Sequence, residues 1–300
     1  MKHTALIISA LLMTAAVFAQ DVAFTVLAAK GNALAQRSDD PDNYTQLKAG
    51  VEVFSGDKII ISGNQNYVGL VNANGNSVEL KKSGVYNSNE LLKALEMNEG
   101  TLAQKYVDFL VKDMSKESEA AAHNMSTAGA VDRSTESAQL KLFLPESVEA
   151  VPGKTAVKWM KDDRVESYTV TLSNMFDEEV VSKNVSDNVA EFDFSDSDIK
   201  PGEVLKINVS ANDDSSIKSK TSTIKFADQE KTENIKKETS SLGGNKNDLN
   251  AVEHVVLGSY YKKNGFYLNA LNHFLQAKNL EPEVEAYNDM YNKLLYSMGI

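Results

Sequence analysis

The sequence predicts a multidomain α+β protein, and three observations carry that reading. Apolar residues alternate with polar ones, the period of strands, from Val22 to Tyr86 and again from Gln139 to Phe226. From residue 250 onward they recur at helical spacing instead. Stretches at 115–138 and 228–249, rich in Ser, Glu, Ala and Lys and poor in large apolar side chains, read as linkers, the second open to partial helix formation.

The chain opens with MKHTALIISALLMTAAVFAQ. Lys2 supplies a positive start, Leu6 to Val17 an apolar stretch, and Val17-Phe18-Ala19 a small-residue end. That is the pattern of a secretory signal peptide over 1–19, with cleavage expected between Ala19 and Gln20. The run is shorter than the roughly 20 apolar residues that cross a bilayer core. The sequence contains no cysteine, so cysteine-linked lipid, disulfides and thiolate metal sites are excluded. Each module is therefore expected to bury its own core. The formal net charge is −11, one unit more negative if Lys2 leaves with the signal. With no Lys/Arg cluster to offset it, nucleic acid is not an expected ligand.

The first β region covers 20–87. Val22, Phe24 and Val26 alternate, as do Val51 and Val53, then Ile59 and Ile61, then Val68 and Leu70. Ser55-Gly56-Asp57 reads as a turn, and Asn74-Gly75 is a strong hairpin signal before Val78 and Leu80. Short strands with Gly-bearing turns imply an antiparallel sandwich or barrel-like module. The string LKAGVEVFSGDKIIISGNQNYVGLVNANGNSVELKKSG resembles a FecR-like domain over about residues 22–87. Membrane-bound FecR regulators carry a cytoplasmic segment and one membrane helix before this domain. Neither is read here, so the resemblance implies a soluble extracytoplasmic version of the module.

A helical hairpin is expected over 88–114. Asn89 is the expected cap of its first helix, which presents Leu91, Leu92 and Leu95 and ends at Gly100; Thr101 caps the second, with Leu102, Tyr106, Phe109, Leu110 and Met114 on one stripe. Such a hairpin either binds a partner or packs on the preceding β-module.

Residues 139–227 read as an immunoglobulin-like sandwich of about seven strands, from AVKWM, YTVTL, VAEFDF, VLKINVSA and TSTIKF. The stretch from Ala156 to Ala211 resembles a fibronectin type III domain, with Trp159 on an early strand and Tyr168 opening the next. Leu205 stands where that family commonly carries its corner Tyr. Trp159 is expected in the core, the alternative being a sugar-stacking platform.

The region 250–300 carries the string HVVLGSYYKKNGFYLNALNHFLQAKNLEP, which resembles one tetratricopeptide repeat. Leu257, Gly258 and Tyr261 fall on its first helix, Gly265 in the turn, Ala270, Phe274 and Ala277 on its second helix, and Pro282 at its close. Small Gly258 and Ala270 let the helices approach; Tyr261 and Phe274 fill the gap. His254 stands where the family often has Trp. Val284, Tyr287, Tyr291, Leu294 and Met298 form a third amphipathic helix that can cap the unit.

No zinc-binding His motif, nucleophile elbow or phosphate-binding Gly-rich loop occurs. Of the histidines, His3 belongs to the signal, His123 to a linker, and His254 and His273 to separate helices. The acidic groups at 39–42 and 193–198 lack the spacing of a calcium loop. No catalytic residue, cofactor or metal site is therefore expected. The reading favoured is a non-catalytic adaptor or assembly subunit, exported to the periplasm or peripheral at the outer membrane. It is expected to bind envelope proteins, an outer-membrane complex among them, through its C-terminal helices. Tyr267 and Tyr296, which fall off the packing stripes, are its candidate partner-binding residues. The alternatives are a glycan- or cell-wall-binding protein using its β-domains, and an enzyme whose site is scattered along the chain.

Overall fold

Two long strands organise the first module. In the computed structural model, which describes residues 21–95, 109–110, 139–195, 199–242 and 248–298, β1 (Val22–Gln36) and β4 (Lys58–Val71) pair antiparallel over most of their length. Their register shifts between Val26 and Ala28 and between Lys30 and Asn32. Gly31 and Gly63 supply left-handed backbone (φ +86° and +90°) at the second shift. Bulges bend strands, so the two halves of the pair acquire different neighbours. β3 (Glu52–Phe54) and β5 (Ser77–Leu80) flank one half; β2 (Tyr44–Gln46) and β6 (Gly84–Asn87) flank the other. The inward faces share one core, with Phe24, Val26, Val68 and Leu70 from one half and Ala33, Ala35, Ile59 and Ile61 from the other. The expected Asn74-Gly75 turn joins β4 to β5, with Gly75 at φ +81°.

Helix α1 (Ser88–Ala94) begins two residues earlier and ends sooner than the spacing suggested. Its cap is Asn87, whose Oδ1 accepts from the Asn89 and Glu90 amides at 2.9 and 3.4 Å. Asn89 instead accepts from the Gly56 amide at 3.1 Å. Leu91, Leu92 and Leu95 lie against the first core. Gly100, most of the expected second helix and the linker at 115–138 lie outside the described residues, as does the signal segment 1–19. Leu110 is described, helical and fully buried among the C-terminal helices.

The second β region folds as two layers. In the larger, β10 (Tyr168–Ser173) sits between β11 (Glu179–Val185) and β13 (Val204–Ala211), and β13 pairs with β15 (Ser222–Phe226). β8 (Ser147–Ala150) joins β15 in parallel, and the short β14 (Lys218–Ser219) and β7 (Gln139–Leu140) extend the edge beyond β13. The smaller layer pairs β9 (Lys154–Lys158) with β12 (Val189–Asp193), and Leu142 bridges to Trp159 at its margin. Trp159, Tyr168, Phe192 and Phe194 are all in the core between the layers. The Trp159 and Tyr168 rings meet edge to face at 5.3 Å, and Tyr168 Oη accepts from the Asp162 amide at 3.0 Å. The exposed aromatic face that a sugar platform needs is therefore not built from these residues.

Among the described residues four helices follow the sandwich: α2 (Gln229–Ser241), α3 (Ala251–Lys263), α4 (Tyr267–Leu280) and α5 (Glu285–Ser297). The first occupies the stretch at 228–249 expected as a linker open to partial helix formation, and corrects that expectation in one respect: it is a packed helix and not a spacer. Asp228 caps it by accepting from the Lys231 amide at 2.8 Å. Its buried stripe is Thr232, Ile235, Thr239 and Leu242, spaced three, four and three residues apart. Half of that stripe is threonine, whose hydroxyls donate to carbonyls, from Thr232 to Ala227 at 3.3 Å and from Thr239 to Ile235 at 2.9 Å. This self-satisfaction lets polar-looking side chains enter a core. Tyr260 then ties α3 to α2 by donating to Glu238 at 2.7 Å. Mixed α+β architecture is thus present, with the helices packed against both β-modules.

Candidate functional site

The centre of the molecule is the α3–α4 pair, and its seam is set by size. A Cβ on Gly258 would stand 2.5 Å from the Phe274 ring, so only glycine permits this approach. Leu257, Ala270, Phe274 and Ala277 are buried in the same seam. Tyr261 is partly buried there, stacked on His273 at 5.3 Å and edge-on to Phe266 at 6.4 Å. Gly265 makes the turn at φ +82°, and Pro282 follows the end of α4 at Leu280. Val284 at the N-cap of α5, and Tyr287, Tyr291 and Leu294 along it, are buried against the pair.

One surface of this unit holds the first module. Along Tyr67-Val68-Gly69-Leu70-Val71, Val68 and Leu70 face the module's own core, whereas Tyr67 and Val71 join the helical core together with Leu27 and Ala28. The strand is thus apolar on both faces, the mark of a sheet covered on both sides. Between Tyr67 and Val71, Gly69 leaves room for α3 and α5: a Cβ there would lie 2.7 Å from Val252 and 2.9 Å from the Tyr287 hydroxyl. Tyr67 and Tyr287 hydroxyls meet at 2.8 Å, and Tyr67 donates to Glu79 at 2.8 Å. Glu79 accepts in turn from the Ala251 and Val252 amides at 2.9 and 3.3 Å, the free donors of the α3 N-terminus. Asn250 and Glu253 complete the cap reciprocally. Burial, with the Glu79 charge close by, raises both phenols well above their ordinary range. Lys81–Glu281 and Lys30–Glu283 pairs rim the contact.

The sandwich is held on another surface, by different means. The buried Asn269 of α4 accepts from the Val151 amide at 2.9 Å and donates to the Val151 carbonyl at 3.0 Å. One side-chain amide thus satisfies both backbone groups of a residue that continues no strand pairing. Asn272 repeats the theme by donating to the Lys154 carbonyl at 3.2 Å, and Leu268 enters the sandwich core. The expectation that each module buries its own core is therefore corrected: the helical core is completed by side chains from both β-modules.

Beside this second contact lies a cleft of about 680 Å³, lined by Pro152 to Thr155, Lys183, Glu191 to Asp193 and the α3–α4 residues His254, Tyr261, Asn272, His273 and Gln276. Sequence placed His254 and His273 on separate helices; the structure brings their Nδ1 atoms to 2.9 Å. Burial lowers His254 to about 4 and His273 to about 3, the latter with a further push from His254. Both are neutral at pH 7, one donating and the other accepting. The two helices that carry them run antiparallel across the Gly265 turn, which brings one turn of each level with the other. In the cleft wall the Thr155 hydroxyl is buried without a hydrogen-bond partner.

The candidate partner-binding residues are on the outside. Tyr267 is 39% and Tyr296 69% exposed. Tyr267 shares a shallow depression with Phe109, Ser297 and Met298, so the start of α4 and the end of α5 form one end of the unit. A further exposed feature was not singled out from sequence: Met175 and Phe176, the latter 85% exposed, at the tip of the β10–β11 hairpin. Asn174 fixes that tip by accepting from the Phe176 and Glu178 amides at 2.9 and 3.1 Å. Its sequence signal was an apolar pair flanked by Asn and Asp where a turn demands polar residues.

Among the described residues no three His, Asp or Glu side chains converge on one metal position, and no helix is long and apolar enough to cross a membrane. No protein-family model matches the chain, and no curated protein sequence does. Among solved structures the chain is similar to astrotactin-2, described as a conserved vertebrate-specific and perforin-like membrane protein involved in neuronal development. The identity is 14% and the TM-score 0.23, over 72% of this chain and 50% of that one. The chain spans about half the length of that structure, and a likeness so slight carries no argument about fold or function.

Proposed function

We propose that this chain is a non-catalytic adaptor of a bacterial cell envelope, in which tetratricopeptide-like helices hold a FecR-like module and a fibronectin type III-like sandwich in fixed relation. One observation supports this above others: the helical unit uses one surface for each β-module, through the Gly69–Tyr287 interlock and the Asn269–Val151 clasp. A residue such as Asn269, buried and spent on holding a neighbouring module, serves geometry and not chemistry. The signal-like start of the sequence supports an extracytoplasmic location. The partner surface in this reading is the end of the unit with exposed Tyr267 and Tyr296, since exposed tyrosines are favoured contact residues. The glycan-binding alternative has less support, because Trp159, Tyr168, Phe192 and Phe194 are all core residues.

The test is recovery of bound proteins from envelope membranes by the tagged chain, alongside the doubly substituted Tyr267→Ser, Tyr296→Ser chain and co-sedimentation with purified cell wall. The adaptor reading expects a defined set of envelope proteins that the double variant loses, and no wall binding. Wall binding with no protein lost from the double variant would favour the glycan alternative.

A further inference from the structure

We propose that the chain associates head to tail with a second copy of itself, the Met175-Phe176 tip of one sandwich seating in an apolar, lysine-rimmed depression at the opposite edge of the next. The knob is a built feature. Phe176 is the most exposed large apolar side chain among the described residues, and Met175 beside it is exposed too, where a turn ordinarily carries polar residues. The turn itself is tightly held. The Asn174 amide donates to the Glu178 carbonyl at 2.9 Å, and the Asp177 amide donates to the Asn174 carbonyl at 3.1 Å. Lys206 reaches across from β13 to the Asp177 carboxylate at 2.7 Å. Asp177 takes left-handed backbone (φ +65°), which aspartate tolerates better than most residues. The Phe176 ring is therefore presented on a fixed scaffold, and little ordering is needed when it is captured.

The socket lies where the sandwich meets the end of the helical unit. A depression of about 490 Å³ has Leu142, Leu144, Pro145 and Met298 in its walls. It shares Pro145 and Met298 with the depression beside Tyr267. Lys141 and Lys220 line the first hollow and Lys262 and Lys263 the second, against one carboxylate, Glu146. That basic rim is local, because the chain as a whole carries −11. The knob has the opposite sign: Asp177, Glu178 and Glu179 follow Phe176, with Lys206 as the cation at the tip. An aromatic ring among carboxylates thus matches an apolar hollow among lysines.

Sheet order makes the occupant another molecule. β11 is one edge of the larger layer, and β7, which contributes Leu140 to the socket, is the other. Strands lie about 4.8 Å apart, so the four spacings between these edges amount to about 19 Å. A tip pinned by the pairing of β10 with β11 and β13 cannot fold back over that distance. Knob and socket are different surfaces, so each contact leaves a free knob at one end and a free socket at the other, the geometry of a ring or an open chain. One knob covers far less than the roughly 1,200 Å² of a standard interface, which places this contact among weak, transient associations.

The test is sedimentation velocity on the purified chain over a concentration series reaching about 1 mM, the range suited to so small an interface. The expected result is a sedimentation coefficient that rises with concentration. Phe176→Ser removes the knob, and Lys141→Glu with Lys220→Glu reverses part of the socket rim; each variant should associate at least about 10-fold more weakly. Mixed together, the two variants retain one intact knob and one intact socket, and so should form a one-to-one dimer that grows no further. All three positions are exposed, and far-ultraviolet circular dichroism with Trp159 fluorescence verifies folding. A chain that stays monomeric at the highest concentration, association that survives Phe176→Ser, or a mixture that forms no dimer would overturn the proposal. A monomeric chain that binds phosphatidylcholine vesicles through Phe176 would overturn it as well, by assigning the tip to a membrane. The purified chain meets no envelope protein in this experiment, so its outcome is independent of capture through Tyr267 and Tyr296.

Discussion

The two grips of the helical unit differ in kind. The first module is held by an apolar interlock with a charged rim: Tyr67, Gly69 and Val71 fit against Val252 and Tyr287, and Glu79 closes the α3 terminus. The sandwich also shares apolar contacts, with Leu268 in its core and Val151, Ala156 and Ala227 in the helical one. Its distinctive element is one buried amide, Asn269, spent on the backbone of Val151 next to an open polar cleft. The first contact resembles an extension of a protein core, and shape decides it. The second concentrates its specificity in buried hydrogen bonds, which cost little when made and much when half-broken. The first grip is therefore expected to fail gradually with bulk, and the second abruptly with the loss of one residue.

The widest break of this comparison removes both grips at once. A chain truncated after Asp248 uncovers Leu27, Tyr67 and Val71, each worth roughly 1.5–3 kcal/mol of burial, and leaves Val151 unpaired. Loss on the order of 5 kcal/mol from the first module is expected, read as a lowered thermal midpoint and binding of a hydrophobic dye. Next in size, Gly69→Val overpacks the first grip and should cost about 1–3 kcal/mol. Trp159 is the only tryptophan and belongs to the sandwich, so its emission should hold while the first module loosens.

Asn269→Ala aims at the other grip. It leaves the Val151 amide and carbonyl buried without partners, at about 1–3 kcal/mol. Amide hydrogen exchange at Val151 should accelerate while exchange along Val68–Val71 stays slow. A matched acceleration in both places would show that the grips are not separable. The smallest effect is expected of Tyr287→Phe, which removes one hydroxyl from the Tyr67–Glu79 chain and costs about 0.5–1.5 kcal/mol, measured by denaturant unfolding.

The same contrast explains what the sequence made legible. The alternating strands, the Asn74-Gly75 hairpin and the buried Trp159 follow from local periodicity and turn chemistry, and the close approach at Gly258 is what the resemblance to a tetratricopeptide repeat implied; each lies where it was expected. The first grip was also readable in principle, since Tyr67-Val68-Gly69-Leu70-Val71 is apolar on both strand faces and a lone module has only one core. The second grip was not. Nothing marks Asn269 as buried until α4 is placed against Val151, because asparagine on a helix is ordinarily solvated. Helix α2 was legible only as partial helix within a linker, and its packing was not, for a related reason: Thr232 and Thr239 contribute half of its buried stripe while counting as polar. The His254–His273 pair lay beyond any motif, since it depends on the pitch of two antiparallel helices and not on spacing along one.

The central claim is that the helices fix the two β-modules relative to each other, and a distance tests it most directly. The chain has no cysteine, so spin labels can be placed at Lys48→Cys in the first module and Asp187→Cys in the sandwich, both exposed, without competing thiols. Double electron–electron resonance should give one narrow distance distribution in the otherwise unaltered chain, broadened when either Gly69→Val or Asn269→Ala is added. A broad distribution in the otherwise unaltered chain would contradict the account.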